Sequence, residues 1–295
     1  MNKSFTFWLL LLIAWIIFGV FIWQKYLCNC WSARGKTITS QSLGEWNIAD
    51  STTFSITSND YFRFALSKPT HLLPLSESLQ HGMNETVAHL NAHPERALTI
   101  TGYYSSEEKN TSLLPNLGLG RANEVKAYLV SLGLRPNHLS MASKLTPSAS
   151  WFSKDTLLRG IDFSFSKLSG SDDRLVGIKN RLLNKPIILY FAVNQNEIEL
   201  TEQQRSDFAD LLYYLDNVDG STLNVGGHTD NSGLKGTNDR LSLERANFVC
   251  KYLAENASIA EAKISATGFG SSKPILPNST KENKAQNRRV EIVLN

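Results

Sequence analysis

One stretch of this chain occurs twice, and that recurrence narrows the possible folds more than any other feature. Leu98 to Asn110 (LTITGYYSSEEKN) followed by Gly120 to Leu134 (GRANEVKAYLVSLGL) returns as Leu223 to Lys235 (LNVGGHTDNSGLK) followed by Glu244 to Ser258 (ERANFVCKYLAENAS). Strand, loop and helix come in the same order both times. Upstream, the apolar run Tyr61 to Leu66 corresponds to Ile187 to Val193. Downstream, Arg159 to Phe165 (RGIDFSF) corresponds to Arg288 to Leu294 (RRVEIVL), both with strand-like alternation. Each copy therefore reads β-α-β-α-β-β, an α/β unit of the α+β sandwich kind, about 100 residues long. The expected domains are 55–170 and 186–295, joined by linkers at 32–54 and 171–185. A length of 295 residues fits two domains. In the second copy Thr201 and Gln204 form a capping-box pattern. Ala246, Val249, Cys250 and Leu253 make one apolar helical stripe, so Cys250 reads as a small core residue.

Residues 1–31 form a different kind of segment. Phe5 to Trp23 (FTFWLLLLIAWIIFGVFIW) is 19 residues without an ionisable side chain. As a helix it measures about 28 Å, close to the roughly 30 Å hydrocarbon core of a bilayer. The expectation is a single N-terminal transmembrane helix, with Trp8 and Trp23 near the interfaces. A cleaved signal peptide fits less well, because bulky Ile22, Trp23, Gln24, Lys25 and Tyr26 stand where small residues are needed. Lys25, Tyr26 and Leu27 likewise argue against lipidation at Cys28. Lys3 precedes the helix and Lys25, Arg34 and Lys36 follow it, which on charge alone puts the bulk of the chain in the cytoplasm.

Lys and Arg number 30 against 27 Asp and Glu, a net charge of +3, too weak for a general nucleic-acid or anionic-membrane binder. Binding must then come from a local site. Three cysteines, two of them Cys28 and Cys30, make neither a disulfide framework nor a metal pattern. No cofactor or metal is expected.

The most specific segment is Thr229 to Leu253, TDNSGLKGTNDRLSLERANFVCKYL. Thr229, Asp230, Gly233, Asn238, Leu241, Ser242, Arg245, Ala246, Val249 and Leu253 fall on every position of a known pattern without a gap. Asn287 to Leu294 (NRRVEIVL) matches its closing strand. The segment resembles the OmpA-like peptidoglycan-binding domain shared by OmpA C-terminal domains, Pal lipoproteins and MotB proteins. The resemblance is strong over 186–295 and weak over about 61–168, as a degenerate first copy.

The resemblance implies non-catalytic binding of the peptide stem of peptidoglycan through diaminopimelate, which offers an ammonium and a carboxylate. The residue types suit that ligand. Asp230 can accept charge-assisted hydrogen bonds from the ammonium, and the Arg245 guanidinium can grip the carboxylate as a fork. Gly226, Gly227, Gly233 and Gly236 allow close backbone approach, while Thr229 and Asn231 add short polar groups. Asn238 caps the helix or holds the loop. By family match Leu241 packs under the loop, and Arg288 or Arg289 lines the rim. His228 belongs to a GHTD turn and reads as loop-orienting. A structural Asp230–Arg245 salt bridge is the plainer alternative; as an exposed pair it contributes about 0–1 kcal/mol.

In the first copy GYYS (Gly102 to Ser105) replaces GHTD. Arg121 matches Arg245, but its carboxylate partner is missing unless Glu107 or Glu108 swings in. The expectation there is a spacer or docking domain that has lost ligand binding, with a differently specific site as the alternative. Wall binding also reverses the orientation drawn from charge. It implies a single-pass inner-membrane protein with its bulk in the periplasm of a Gram-negative bacterium, where Cys28 and Cys30 can cross-link chains. A motor stator is disfavoured, since Phe5 to Trp23 carries no Asp. An enzyme is disfavoured by the lack of a nucleophile–base pair. The alternative is a structural subunit of a secretion, contractile or motor-type envelope machine whose protein partners dock on the first domain.

Overall fold

The computed structural model describes residues 45–50, 54–146, 151–168, 173–190 and 198–295. The expected helix at Phe5 to Trp23, Cys28, Cys30 and the linker up to residue 44 lie outside them. Among the described residues no helix is long and apolar enough to cross a membrane.

The second half is built on a four-stranded sheet. Strand β9 (Ile187–Tyr190) leads through helix α4 (Glu202–Asn217) to β10 (Leu223–Gly227), then α5 (Lys235–Ala257), β11 (Ile264–Gly268), the short α6 (Lys281–Asn287) and β12 (Arg289–Leu294). The sheet order is β11-β10-β12-β9, with β10 parallel to β11 and antiparallel to β12. This is the expected β-α-β-α-β-β order, with α6 added. The capping box forms at the start of α4, where Thr201 accepts from the Gln204 backbone and the Gln204 side chain reaches back. Asn238, Ser242, Ala246, Val249, Leu253 and Ala257 make the buried stripe of α5. Cys250 sits half-buried at its edge.

In the first half, β4 (Arg96–Tyr104) pairs in parallel with β5 (Leu139–Leu145) and antiparallel with β8 (Ile161–Lys167). Helix α1 (Glu77–Ala92) precedes β4, and α2 (Leu117–Ser131) joins β4 to β5. Ser76 and Asn116 cap the two helices by accepting from Leu79 and Leu119. The pairing of β5, β4 and β8 has the same sense as that of β11, β10 and β12.

Three expectations change here. The strand expected over Tyr61 to Leu66 shrinks to β3 (Phe64–Ala65), which pairs with β7 (Thr156–Leu157) and not with β8. A hairpin of β6 (Phe152–Ser153) and β7 supplies that alternative partner. Close packing holds it there: a Cβ on Gly160 would lie 2.2 Å from the Phe64 ring. The linker at 32–54 contains β1 (Trp46–Asp50), paired with β2 (Phe54–Ser58). Its buried Asp50 accepts from Arg96 Nε at 2.8 Å. The linker at 171–185 is largely helix α3 (Asp173–Asn184), which buries Ile178 and Leu182 beside α4.

The two halves share one core. Residues 45–295 form a single compact unit. Leu113 and Leu114, from the loop before α2, join the same buried cluster as Leu212, Val225 and Leu253. Lys126 of α2 pairs with Asp216 of α4, and Asn123 donates to the Ala257 carbonyl at 3.2 Å. Arg205 donates to the Ser112 carbonyl.

Candidate functional site

Two glycines, one ending each of strands β10 and β11, let those strands run directly under helix α5. A Cβ on Gly227 would stand 1.9 Å from the Ser242 carbonyl oxygen, and one on Gly268 would meet the Leu243 nitrogen at 2.8 Å. Only a residue without a side chain permits that approach. Ser242 then stitches the layers, donating to the Asp239 carbonyl at 2.8 Å and accepting from the Gly270 N–H at 2.9 Å.

Beyond Gly227 the chain leaves the sheet through His228 and Thr229 to Asp230. The His228 N–H donates to the Arg289 carbonyl at 2.9 Å, and the Thr229 N–H donates to the Gly270 carbonyl at 2.8 Å. Asp230 is 7% exposed. One carboxylate oxygen accepts from the Ser232 N–H at 2.8 Å and the other from Arg288 Nη1 at 2.7 Å. Burial alone would raise this carboxyl, but the bonds from Arg288 and Ser232 outweigh it and hold it below the usual carboxylate range. Since a carboxylate offers about four lone-pair sites, acceptor capacity remains.

Arg245 lies on the α5 side of the same rim. Its Nη1 donates to the His228 carbonyl at 3.4 Å, and among the described residues no carboxylate is ion-paired with it. The salt bridge weighed in the sequence therefore forms between Asp230 and Arg288, not between Asp230 and Arg245. Burial, followed by the neighbouring charge of Arg288, lowers the Arg245 pKa, and Asp230 opposes that in part. Such a guanidinium favours gaining an anion.

The other expected residues divide. Asn238, buried, does not cap α5, whose cap position is Leu234; its Nδ2 points to the Asp230 carbonyl at 3.4 Å and so holds the loop. Asn231 is exposed, and its N–H donates to Asn278 Oδ1 at 3.3 Å. Gly233 has φ +89°, a left-handed turn that favours glycine. Leu241 is half-buried, one turn before Arg245. Arg289 does not line the rim. It is 2% exposed and donates to Glu291 at 2.7 Å and to the Lys273 carbonyl at 3.1 Å. Arg288 closes α6 while Arg289 opens a strand, where successive side chains point to opposite faces.

His228 is 1% exposed and stacks on Phe269 with ring centres 5.1 Å apart. Burial, then the positive charge of Arg289, pushes its pKa down to about 4. It is a neutral ring at physiological pH. Sequence reasoning gave no role to Asn287, although it opens the closing motif. Fully buried, Asn287 ties down the rim loop, accepting from Ile275 at 2.9 Å and donating to Leu276 at 2.8 Å and to Asn278 at 2.9 Å. Its place before two arginines was the available signal.

Among the described residues, six buried side-chain polar atoms have no hydrogen-bond partner, and four are here: Thr229 Oγ1, Arg288 Nε and both ring nitrogens of His228. Buried polar atoms are normally paired. The Thr229 and Arg288 atoms lie beside Asp230, whereas His228 is enclosed beneath the loop, with Nε2 3.6 Å from the Glu291 carboxylate.

Residues 190–288 match the OmpA family, so the chain carries an OmpA-family domain there. The outer membrane protein Omp38 of Acinetobacter baumannii is 36% identical over 108 residues, 37% of this chain and 30% of that protein. The peptidoglycan-binding protein ArfA of Mycobacterium tuberculosis is 46% identical over 71 residues, 24% of this chain and 22% of its own. Among solved structures, the peptidoglycan-associated lipoprotein from Burkholderia pseudomallei aligns with TM-score 0.35 and 24% identity, over 41% of this chain and 99% of that one. The chain spans under a third of the length of these two curated relatives.

Proposed function

We propose that the second half binds the peptide stem of peptidoglycan through diaminopimelate and ties a membrane or envelope complex to the cell wall. The observation that carries this is the presence, near one another, of an ionised Asp230, held by Arg288, and an Arg245 guanidinium that has no carboxylate ion-paired with it among the described residues. Asp230 accepts the ligand's ammonium and Arg245 takes its carboxylate as a fork. Thr229 Oγ1 and Arg288 Nε are further polar atoms on that rim. The match of residues 190–288 to the OmpA family and the likeness to a peptidoglycan-binding protein support peptidoglycan as the partner. Phe5 to Trp23 is the proposed inner-membrane anchor, with the bulk in the periplasm, and the role is binding, not catalysis.

The test is cosedimentation of the full chain, in mild detergent, with purified sacculi. Asp230→Ala and Arg245→Ala should each lower affinity by about 10-fold or more, because a charged hydrogen bond contributes about 1.5–3 kcal/mol. A soluble stem peptide containing diaminopimelate should compete. Arg240→Ala, which removes only an exposed pair with Glu244, should pellet like wild type. Equal pelleting by the wild type and both site variants refutes the proposal.

A further inference from the structure

The first half places an arginine at the equivalent point of a similarly paired strand and helix, but with a different acid beside it. A Cβ on Gly102 would lie 1.9 Å from the Gly118 carbonyl oxygen, just as one on Gly227 would lie 1.9 Å from that of Ser242. In each half the arginine stands three residues further along the helix: Arg121 after Gly118, Arg245 after Ser242. Each donates through Nη1 to the carbonyl one residue past the strand glycine, Arg121 to Tyr103 at 2.8 Å and Arg245 to His228 at 3.4 Å.

The residue three past the glycine is Asp230 in the second half and Ser105 in the first, so the first half has no acid there. A carboxylate nonetheless sits on Arg121. Glu108 meets it as a fork, with Nη2 donating to Oε1 at 2.5 Å and Nη1 to Oε2 at 3.0 Å. Both side chains are fully buried. The same carboxylate accepts from the Ser67 N–H at 3.0 Å and the Ser105 N–H at 2.9 Å. Arg121 Nε donates to the Lys68 carbonyl at 3.2 Å and its guanidinium lies over the Phe64 ring at 5.2 Å. Two N–H groups and a guanidinium fork converging on one carboxylate make a complete carboxylate site.

We propose that Glu108 is a built-in occupant of a carboxylate-binding site in the first half, standing where a ligand's carboxylate would otherwise bind. A buried ion pair is a poor stabiliser compared with apolar packing, so the pair is not explained as core adhesive. The site is closed to external carboxylates while the Ser105–Lys109 loop holds Glu108 in place. Withdrawal of that loop would open a pocket selective for a small planar carboxylate. Glu108 and Arg121 would behave this way whether or not the second half binds the wall.

The experiment is chemical rescue in the full chain. Glu108→Ala leaves a buried guanidinium and a cavity of carboxylate shape. Formate or acetate, exchanged for chloride at constant ionic strength, should raise its melting temperature by several degrees with saturation in the millimolar range, since a ligand of the folded state stabilises by mass action. Wild type and the double variant Glu108→Leu, Arg121→Met should show no carboxylate-specific rise. Should Glu108→Ala fail to fold in chloride, its refolding yield with formate is the readout, and recovery supports the proposal. A Glu108→Ala chain that melts or refolds identically in formate and chloride overturns it, as does an equal response from the double variant.

Discussion

Replacing Gly227 with Ala tests whether the contact between β10 and α5 holds the two sides of the binding rim in place. The added Cβ would lie 1.9 Å from the Ser242 oxygen and 2.7 Å from its carbonyl carbon, where contacts under 3.0 Å essentially never occur. Restoring even 3.0 Å needs a retreat of about 1.1 Å, and the obstructing atoms are backbone that cannot rotate aside. Overpacking costs about 1–3 kcal/mol, and the backbone obstruction puts this case at about 3. In a unit of this size that lowers the melting temperature by about 6–12 °C. The helix that retreats carries Arg245, and the strand leads into Asp230, so the carboxylate and guanidinium separate by about 1 Å. Sacculus affinity should fall about 10-fold or more, the loss expected when a charged hydrogen bond is broken. Gly102→Ala is the matched control, because its Cβ meets the Gly118 oxygen at the same 1.9 Å. It should lose similar stability and, at temperatures where the chain stays folded, little affinity. Differential scanning calorimetry and sacculus pelleting separate the two quantities. If Gly227→Ala melts and pellets like wild type, the close approach is not what organises the site. If both variants lose affinity equally, the site is not on β10 and α5.

The pH dependence should carry the mark of His228. Its folded pKa of about 4 lies below the reference 6.5, so its stabilisation is fully present above pH 6.5 and is lost as pH falls through 4, by about 3 kcal/mol in all. Urea melts between pH 7 and 4.5 should show a shallower decline for His228→Gln than for wild type; parallel curves would mean that the ring is not held neutral by burial. Gly177 is exposed on α3, and a Cβ added to it would have nothing within 4 Å. Gly177→Ala should therefore stabilise by about 0.5–1 kcal/mol through helix propensity, measured as a higher melting temperature. No gain would mean that residues 173–184 behave as the linker expected from sequence.

Local and periodic features were legible. The apolar stripe Ala246, Val249, Leu253 and the Thr201–Gln204 capping box are set by side chains three and four residues apart, and both appear where the pattern put them. The alternation of Arg289 to Leu294 likewise marks a strand with one buried face. Asp230 and Arg245 were legible as a pair of charges near one loop, because their spacing follows a known motif. Their partners were not. Arg288 reaches Asp230 from 58 residues away, and which of two adjacent arginines turns outward depends on where α6 stops and β12 starts.

Long-range competition decided the rest. Tyr61 to Leu66 looks like a sheet strand, yet the β6–β7 hairpin captures Phe64 and Ala65 first. A stretch with the composition of a linker became α3 because α4 offered a surface for Ile178 and Leu182. The acid for Arg121 came from Glu108, thirteen residues away through a loop whose path no periodicity describes. Helix, strand and motif follow from neighbours along the chain, whose geometry is set by backbone repeat. Which carboxylate meets which guanidinium, and whether two similar units stand apart or share a core, depends on contacts between distant segments that exist only once the chain has packed.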